Sequence, residues 1–189
     1  MKKTIKSLTL IMAALVMTAF TAEDTVKMEV KSSTINWVGK KVTGQHTGTI
    51  DLKSGYLEMD GKTVTGGMFV VDMTTLTVTD LEAGKGKEKL EGHLNSDDFF
   101  GVADHPNATL KINKGTLSGN THTLSGDLTV KGTTQPITFD LVMNGSTGTA
   151  KVVIDRTKFG IRYGSGSFFD NLGDKAIYDD FELDITLNF

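Results

Sequence analysis

"FELDITLNF", residues Phe181–Phe189, decides the fold. Phe181, Leu183, Ile185, Leu187 and Phe189 take one face of an extended chain, and Glu182, Asp184, Thr186 and Asn188 take the other. Strict alternation of this kind marks a strand with one dry face and one wet face. The same pattern returns upstream. Ala150, Val152 and Ile154 mark a second strand, Ile137, Phe139, Leu141 and Met143 a third. Leu124, Gly126, Leu128 and Val130 mark a fourth, joined to the third through "KGTTQP". Further strands are predicted at Ala108–Ile112, at Phe69–Met73, at Ile50 and Leu52, and at Ile35 and Trp37. A short one at Tyr56–Met59 turns through Asp60-Gly61. Eight or nine strands at close spacing predict antiparallel neighbours, closed into a barrel or paired as a sandwich. Eight is the number at which a barrel interior just fills with side chains or holds one small ligand.

The bulk numbers narrow the function. The chain has 189 residues, 21 glycines, two prolines and no cysteine. Thiol chemistry, iron–sulfur clusters and cysteine-bound zinc are excluded. The first residues, "MKKTIK", run into the apolar "LTLIMAALVMTAFTA" before the first acid, Glu23. A basic start, a short apolar run and small residues at its exit predict a signal peptide over residues 1–22 and a periplasmic destination. A buried first helix is the alternative. Residues 23–189 suit one domain, large enough to bury a core without disulfides. The formal charge is −3, and loss of Lys2, Lys3 and Lys6 with the leader makes it more negative. An acidic chain without a basic stripe is a poor partner for nucleic acid.

The long connection between Met73 and Ala108 is the one place for helix. "KGKEKLEGHL" predicts a turn or two of helix, and Ser96 is placed to cap a second short one over "DDFF". Long loops in compact β-domains are usually functional or lids. The loop carries His93, His105 and several aspartates, which raises a metal-dependent hydrolase as one reading. Against it, the four histidines (His46, His93, His105 and His122) show no ligand spacing, and no nucleophile elbow or phosphate loop is present. The Phe-Phe pairs are more telling. Phe99-Phe100 and Phe168-Phe169 both lie in connections, where adjacent phenylalanines are expected only if covered. They predict either a plug over one barrel end or contact with an apolar ligand.

The segments "STINWVGKKVTGQHTGTI", "GGMFVVDMTTL", "KLEGHLNSDDFFGVADHPNATLKI", "GDLTVKGTTQPITFDL" and "IDRTKFGI" are similar, in this order, to those of the YceI-like family of exported lipid-binding proteins. The resemblance covers essentially all of residues 23–189. It implies an all-β, eight-stranded or slightly extended antiparallel lipocalin-like barrel with a short helical lid. It also implies a long isoprenoid lipid, a polyisoprenoid or isoprenoid quinone, held in an apolar interior, with no enzymatic activity, no metal and no cofactor other than that lipid. One departure is Gly101, where the family leads one to expect an acid after Phe-Phe. Homodimerisation and transient membrane contact stay open, as does a ligand-free barrel acting as a stress or interaction module.

The expected ligand contacts follow. Trp37, Phe69 and Phe139 alternate with polar residues and face inward, and Phe159 of "DRTKFG" joins them. Phe99, Phe100, Phe168 and Phe169 come from the loops, while His46, Arg156 and Tyr163 are the polar candidates near the mouth. The bland alternative for Arg156 is an ion pair tying its turn to a loop acid. Burial at about 0.8 kcal/mol per methylene nominally exceeds the practical affinity ceiling of roughly 20 kcal/mol for tens of carbons. A bilayer is equally apolar, however. Transfer is near balance, so selectivity rests on cavity shape.

Overall fold

The computed structural model describes residues 25–189. The predicted leader, with its cut near Ala22, lies outside them. Nine strands follow in order, β1 Val26–Glu29, β2 Ser32–Lys41, β3 Gly44–Asp60, β4 Thr63–Val78, β5 Asn107–Ser118, β6 Thr121–Val130, β7 Thr133–Asn144, β8 Thr147–Asp155 and β9 Ile177–Asn188. Neighbours pair antiparallel, and β3 also pairs with β4, so strands β2 to β9 close on themselves. The result is an eight-stranded barrel with β1 appended along the far half of β3, Val26 opposite Met59. Closure removes the edges that an open sheet would expose.

The inward rows are the alternating residues of the sequence. Ile35 on β2 faces Ile185 across the ladder, and Ala150 on β8 faces the same residue from the other side. Two expectations need correction on the N-terminal side. The short strand at Tyr56–Met59 is not separate from Ile50 and Leu52: both belong to the 17-residue β3. Bulges between Thr49 and Asp51 and between Leu52 and Ser54 reset the alternation. Buried positions are therefore Gly48 and Ile50 before them, and Gly55 and Leu57 after. A phase flip of this kind reads as a turn in a sequence but only bends the strand. Likewise β4 continues past Met73 to Val78, which shortens the long connection.

Gly48 shows how tightly the wall is set. A Cβ there would lie 1.8 Å from the Thr77 carbonyl oxygen and 2.4 Å from the Trp37 ring. Trp37 sits directly opposite on β2, and its indole N–H donates to the Thr49 carbonyl at 3.3 Å. Replacing Gly48 by alanine therefore lowers the unfolding free energy by about 1–3 kcal/mol, as overpacking does, measured by urea titration. An unchanged midpoint would contradict this packing.

One seam differs from the rest. Strands β7 and β8 pair only at Val142–Thr149, Met143–Gly148 and Asn144–Thr147. No ladder joins the remainder of β7 to β8, although each pairs at length with its other neighbour. Pro136 lies in that unladdered part of β7, consistent with the restriction of proline in sheets to edges. A single side-chain bond spans the foot of the gap, Gln135 Nε2 donating to the Lys158 carbonyl at 3.2 Å.

Candidate functional site

The inward rows do not meet. They enclose a cavity of about 200 Å³ whose wall is almost wholly carbon. Every barrel strand contributes, from Ile35 on β2 through Leu128 on β6 to Leu183 on β9. Cavities of this size lined by aliphatic and aromatic groups stay dry and take up hydrocarbon. One end is packed shut by Leu57, Val64, Leu124 and Leu141, all fully buried. Polar residues reach the wall at the other end, where Lys40, Asp180 and Arg156 border it.

A lid covers that end. Helix α1, Lys87–Asn95, buries none of its own residues. Leu94 packs partly buried on the core and borders the cavity, and Glu91 fastens the helix, its carboxylate accepting from the Val78 N–H at 2.8 Å and the Thr77 hydroxyl at 3.1 Å. Ser96 is the C-cap of this helix rather than the N-cap of another. Its N–H and its hydroxyl both donate to the His93 carbonyl. Asp97–Phe100 form a turn, closed by Gly101 N–H to the Ser96 carbonyl at 2.8 Å. Gly101 has φ +57°, a left-handed conformation that side chains disfavour, which accounts for glycine where an acid was expected. The turn drives Phe99 and Phe100 down onto the barrel mouth. Their rings meet edge to face at 5.2 Å, and Phe100 meets Phe181 of β9 at 6.3 Å. Phe181 escaped nomination as a site residue, yet it opens the inward row of β9 and was visible there by alternation alone.

Arg156 sits beneath Phe99, its guanidinium 5.5 Å from that ring, and is 2% exposed. It begins a 3-10 turn, Arg156–Phe159, capped by Asp155. Its side chain donates to the carbonyls of Tyr178, Ile161 and Ile177 at 2.9–3.1 Å and lies 3.6 Å from the Asp179 carboxylate. Burial works against its charge, while Asp179 and Asp155 support it. Arg156 therefore pairs with an acid, Asp179 at the start of β9, and also borders the cavity wall. Trp37, Phe69, Phe99, Phe100 and Phe139 border the cavity as well.

The other nominated residues do not border it. His46 turns to Asp80, its Nδ1 2.8 Å from a carboxylate oxygen, while the Thr47 N–H donates to the other oxygen. Burial alone would raise the Asp80 carboxyl; the Thr47 and His46 hydrogen bonds outweigh it and hold it below the ordinary value. Phe159 is buried in the core but off the wall. Tyr163 packs on His93, ring centres 4.4 Å apart, with its outer side in solvent. Phe168 and Phe169 are no plug. They are 46% and 51% exposed, because the loop beneath them is already packed through Ile161 and Ser165. Among the described residues no three histidine, aspartate or glutamate side chains are grouped to hold a metal ion.

The comparisons with known proteins can now be set beside this geometry. The family model of the YceI-like domain matches residues 25–189. The chain belongs to the YceI-like family. A UPF0312 protein of Staphylococcus epidermidis is 34% identical over 100 residues, 47% of this YceI-like chain and 56% of that relative. The chain thus spans about half the length of the curated relatives it matches. Three solved structures share the fold. BcnA of Burkholderia cenocepacia superposes with a TM-score of 0.65 at 20% identity, covering 82% of this chain and 94% of that one. A polyisoprenoid-binding domain from Saccharophagus degradans, implicated in plant cell wall breakdown, gives 0.58 at 14%, covering 87% and 97%. The YceI protein of Campylobacter jejuni gives 0.52 at 15%, covering 98% and 99%.

His122 has a thermodynamic consequence. It is a buried histidine on β6, opposite Leu141, with no partner for Nδ1. Burial lowers its pKa from 6.5. Below pH 6.5 the unfolded chain therefore binds a proton at this site that the folded chain resists. Stability falls as pH drops from about 6.5 toward the depressed folded value, and levels off below it. Thermal melts at a series of pH values should lose that slope in His122→Phe. An equal slope in both proteins would assign it to other groups.

Proposed function

We propose that this protein is an exported, non-enzymatic carrier that holds the tail of an isoprenoid lipid, a polyisoprenoid or an isoprenoid quinone, inside the barrel. One observation carries this reading: the cavity wall is almost wholly hydrocarbon contributed by every barrel strand, with charged side chains bordering it only at the mouth. Such a wall suits a branched chain without polar atoms and offers nothing to a polar substrate. Arg156 spends three of its N–H donors on backbone carbonyls and lies 3.6 Å from the Asp179 carboxylate, so it is held as part of the wall and a polar head group belongs outside, at the mouth. The name of the Saccharophagus degradans domain supports the same ligand class. The periplasm is the compartment that fits the N-terminal sequence, and transport or sequestration is the role that fits a closed barrel with a lid.

Organic-solvent extraction of the protein purified from its native host, followed by mass spectrometry, tests this. An isoprenoid lipid recovered in stoichiometric amount is expected. Recovery of none, together with no uptake of isoprenoid quinone by the delipidated protein, rejects the proposal.

A further inference from the structure

Four aromatic rings are exposed on segments tied to the mouth: Tyr178 borders the cavity, Tyr163 packs on the lid through His93, and the loop of Phe168 and Phe169 is bridged at Ser165 to the cavity residue Ile177. Isolated exposed apolar residues are ordinary, but a contiguous group beside a cavity is not. Tyr178 belongs to both surfaces, since it is 52% exposed and also borders the cavity. Tyr163 joins the group to the lid through His93 and Phe99. Ring contacts therefore run from the exposed Tyr163 through His93 to Phe99 on the cavity wall.

The loop holding Phe168 and Phe169 is fixed from below. Ser165 is fully buried, and its carbonyl accepts from the N–H groups of both phenylalanines, at 3.2 and 3.0 Å. The Ser167 hydroxyl donates to Asp179, and the Ile177 N–H donates to the Gly164 carbonyl at 2.8 Å. The two rings point out while the backbone stays tied in. Arg162 lies over Phe168, 4.5 Å from the ring centre, so the patch carries a cation on an aromatic face. From Arg162 to Asp180, the stretch that carries all four rings, Arg162 and Lys175 stand against Asp170, Asp174, Asp179 and Asp180, so the segment is mildly acidic.

We infer that this patch docks the barrel mouth onto the interfacial layer of a lipid bilayer. The inference rests on the lipid-carrier reading above and deepens it by naming the surface from which cargo is taken. Aromatic rings mixed with arginine suit the depth between head groups and acyl chains. An isoprenoid chain passing directly from bilayer to cavity avoids water, where each methylene is costly. The local excess of acid, on an acidic protein, points to neutral lipid: anionic head groups are not attracted to this patch.

Flotation with vesicles of pure phosphatidylcholine is the test. The wild-type protein should float with them, with no gain from added phosphatidylglycerol and no loss in high salt. Phe168→Ser/Phe169→Ser should reduce the bound fraction at least about tenfold. Val153→Ser, at an equally exposed apolar residue on β8, should leave it unchanged. Wild-type protein that stays unbound, or a double variant that binds as well as wild type, overturns the inference. So does a concentration-dependent dimer that the double variant abolishes and vesicles do not compete with, because the patch would then cover a second copy. The vesicles carry no isoprenoid, and solvent extraction uses no vesicles, so failure of docking and failure of the cargo assignment are read separately.

Discussion

Replacing Arg156 by methionine is expected to cost about 3–5 kcal/mol of unfolding free energy, the largest loss of any single exposed-or-buried polar change in this barrel. Methionine fills much of the same space, so packing is not the main term. The loss comes from three carbonyls, those of Tyr178, Ile161 and Ile177, left without their donor, and from Asp179 left without its cation. Each orphaned buried acceptor costs on the order of 1–3 kcal/mol. Arg156→Lys keeps the charge but offers a point rather than a fork, and should recover less than half of the loss. Trp37, the one tryptophan and a cavity residue, provides the fluorescence signal for urea titrations. A loss below about 1 kcal/mol for the methionine variant would mean that the carbonyls find other donors. The same variant should also loosen the lid, since Phe99 rests on the guanidinium.

Filling the cavity is expected to abolish lipid carriage without unfolding the barrel. Ala150 on β8 is buried and borders the void. In Ala150→Phe a ring enters space that no side chain occupies, so the stability change stays within about 1 kcal/mol, well short of the usual cost of overpacking. The lipid recovered by solvent extraction should fall at least tenfold. Leu128→Trp, placed on β6 at the same wall, provides an independent blockade should the first variant fold poorly. Full lipid content in a folded variant of either kind would place the cargo elsewhere. Together the two experiments separate what holds the barrel from what the barrel holds.

Much of this was legible beforehand, for a physical reason. Alternation is a local property, so β5 to β9 could be read from rows such as Leu124–Leu128 and Phe181–Phe189. The lid could be read from Phe99-Phe100 in a loop. What failed depended on tertiary context. Bulges in β3 flip the inward face without a sequence mark that differs from a turn. β1 and the residue after it carry only a short alternation, Val26, Met28 and Val30 against Lys27 and Glu29, too brief to stand out as a strand although Met28 and Val30 pack on the core. Phe168-Phe169 looks the same as Phe99-Phe100 in one dimension; only the buried Ser165 and Ile161 beneath it turn the rings outward. His46 and Tyr163, expected from their polarity to meet a ligand, do not border the cavity, and each instead packs on a neighbour, Asp80 or His93. Whether the interior is hollow cannot be written in an alternating pattern, which fixes direction but not depth.

The unequal fastening of the strands has a mechanical meaning. Seven of the eight joints of this cylinder are laced by six or more residue pairs, and the β7–β8 joint is tacked by three at one end only. Stress from an oversized guest concentrates where the fewest bonds resist it, so the girth of the container yields along that line first. A carrier of the kind proposed above would take tails of different bulk by parting like a cuff at its slit, while the other joints keep their shape.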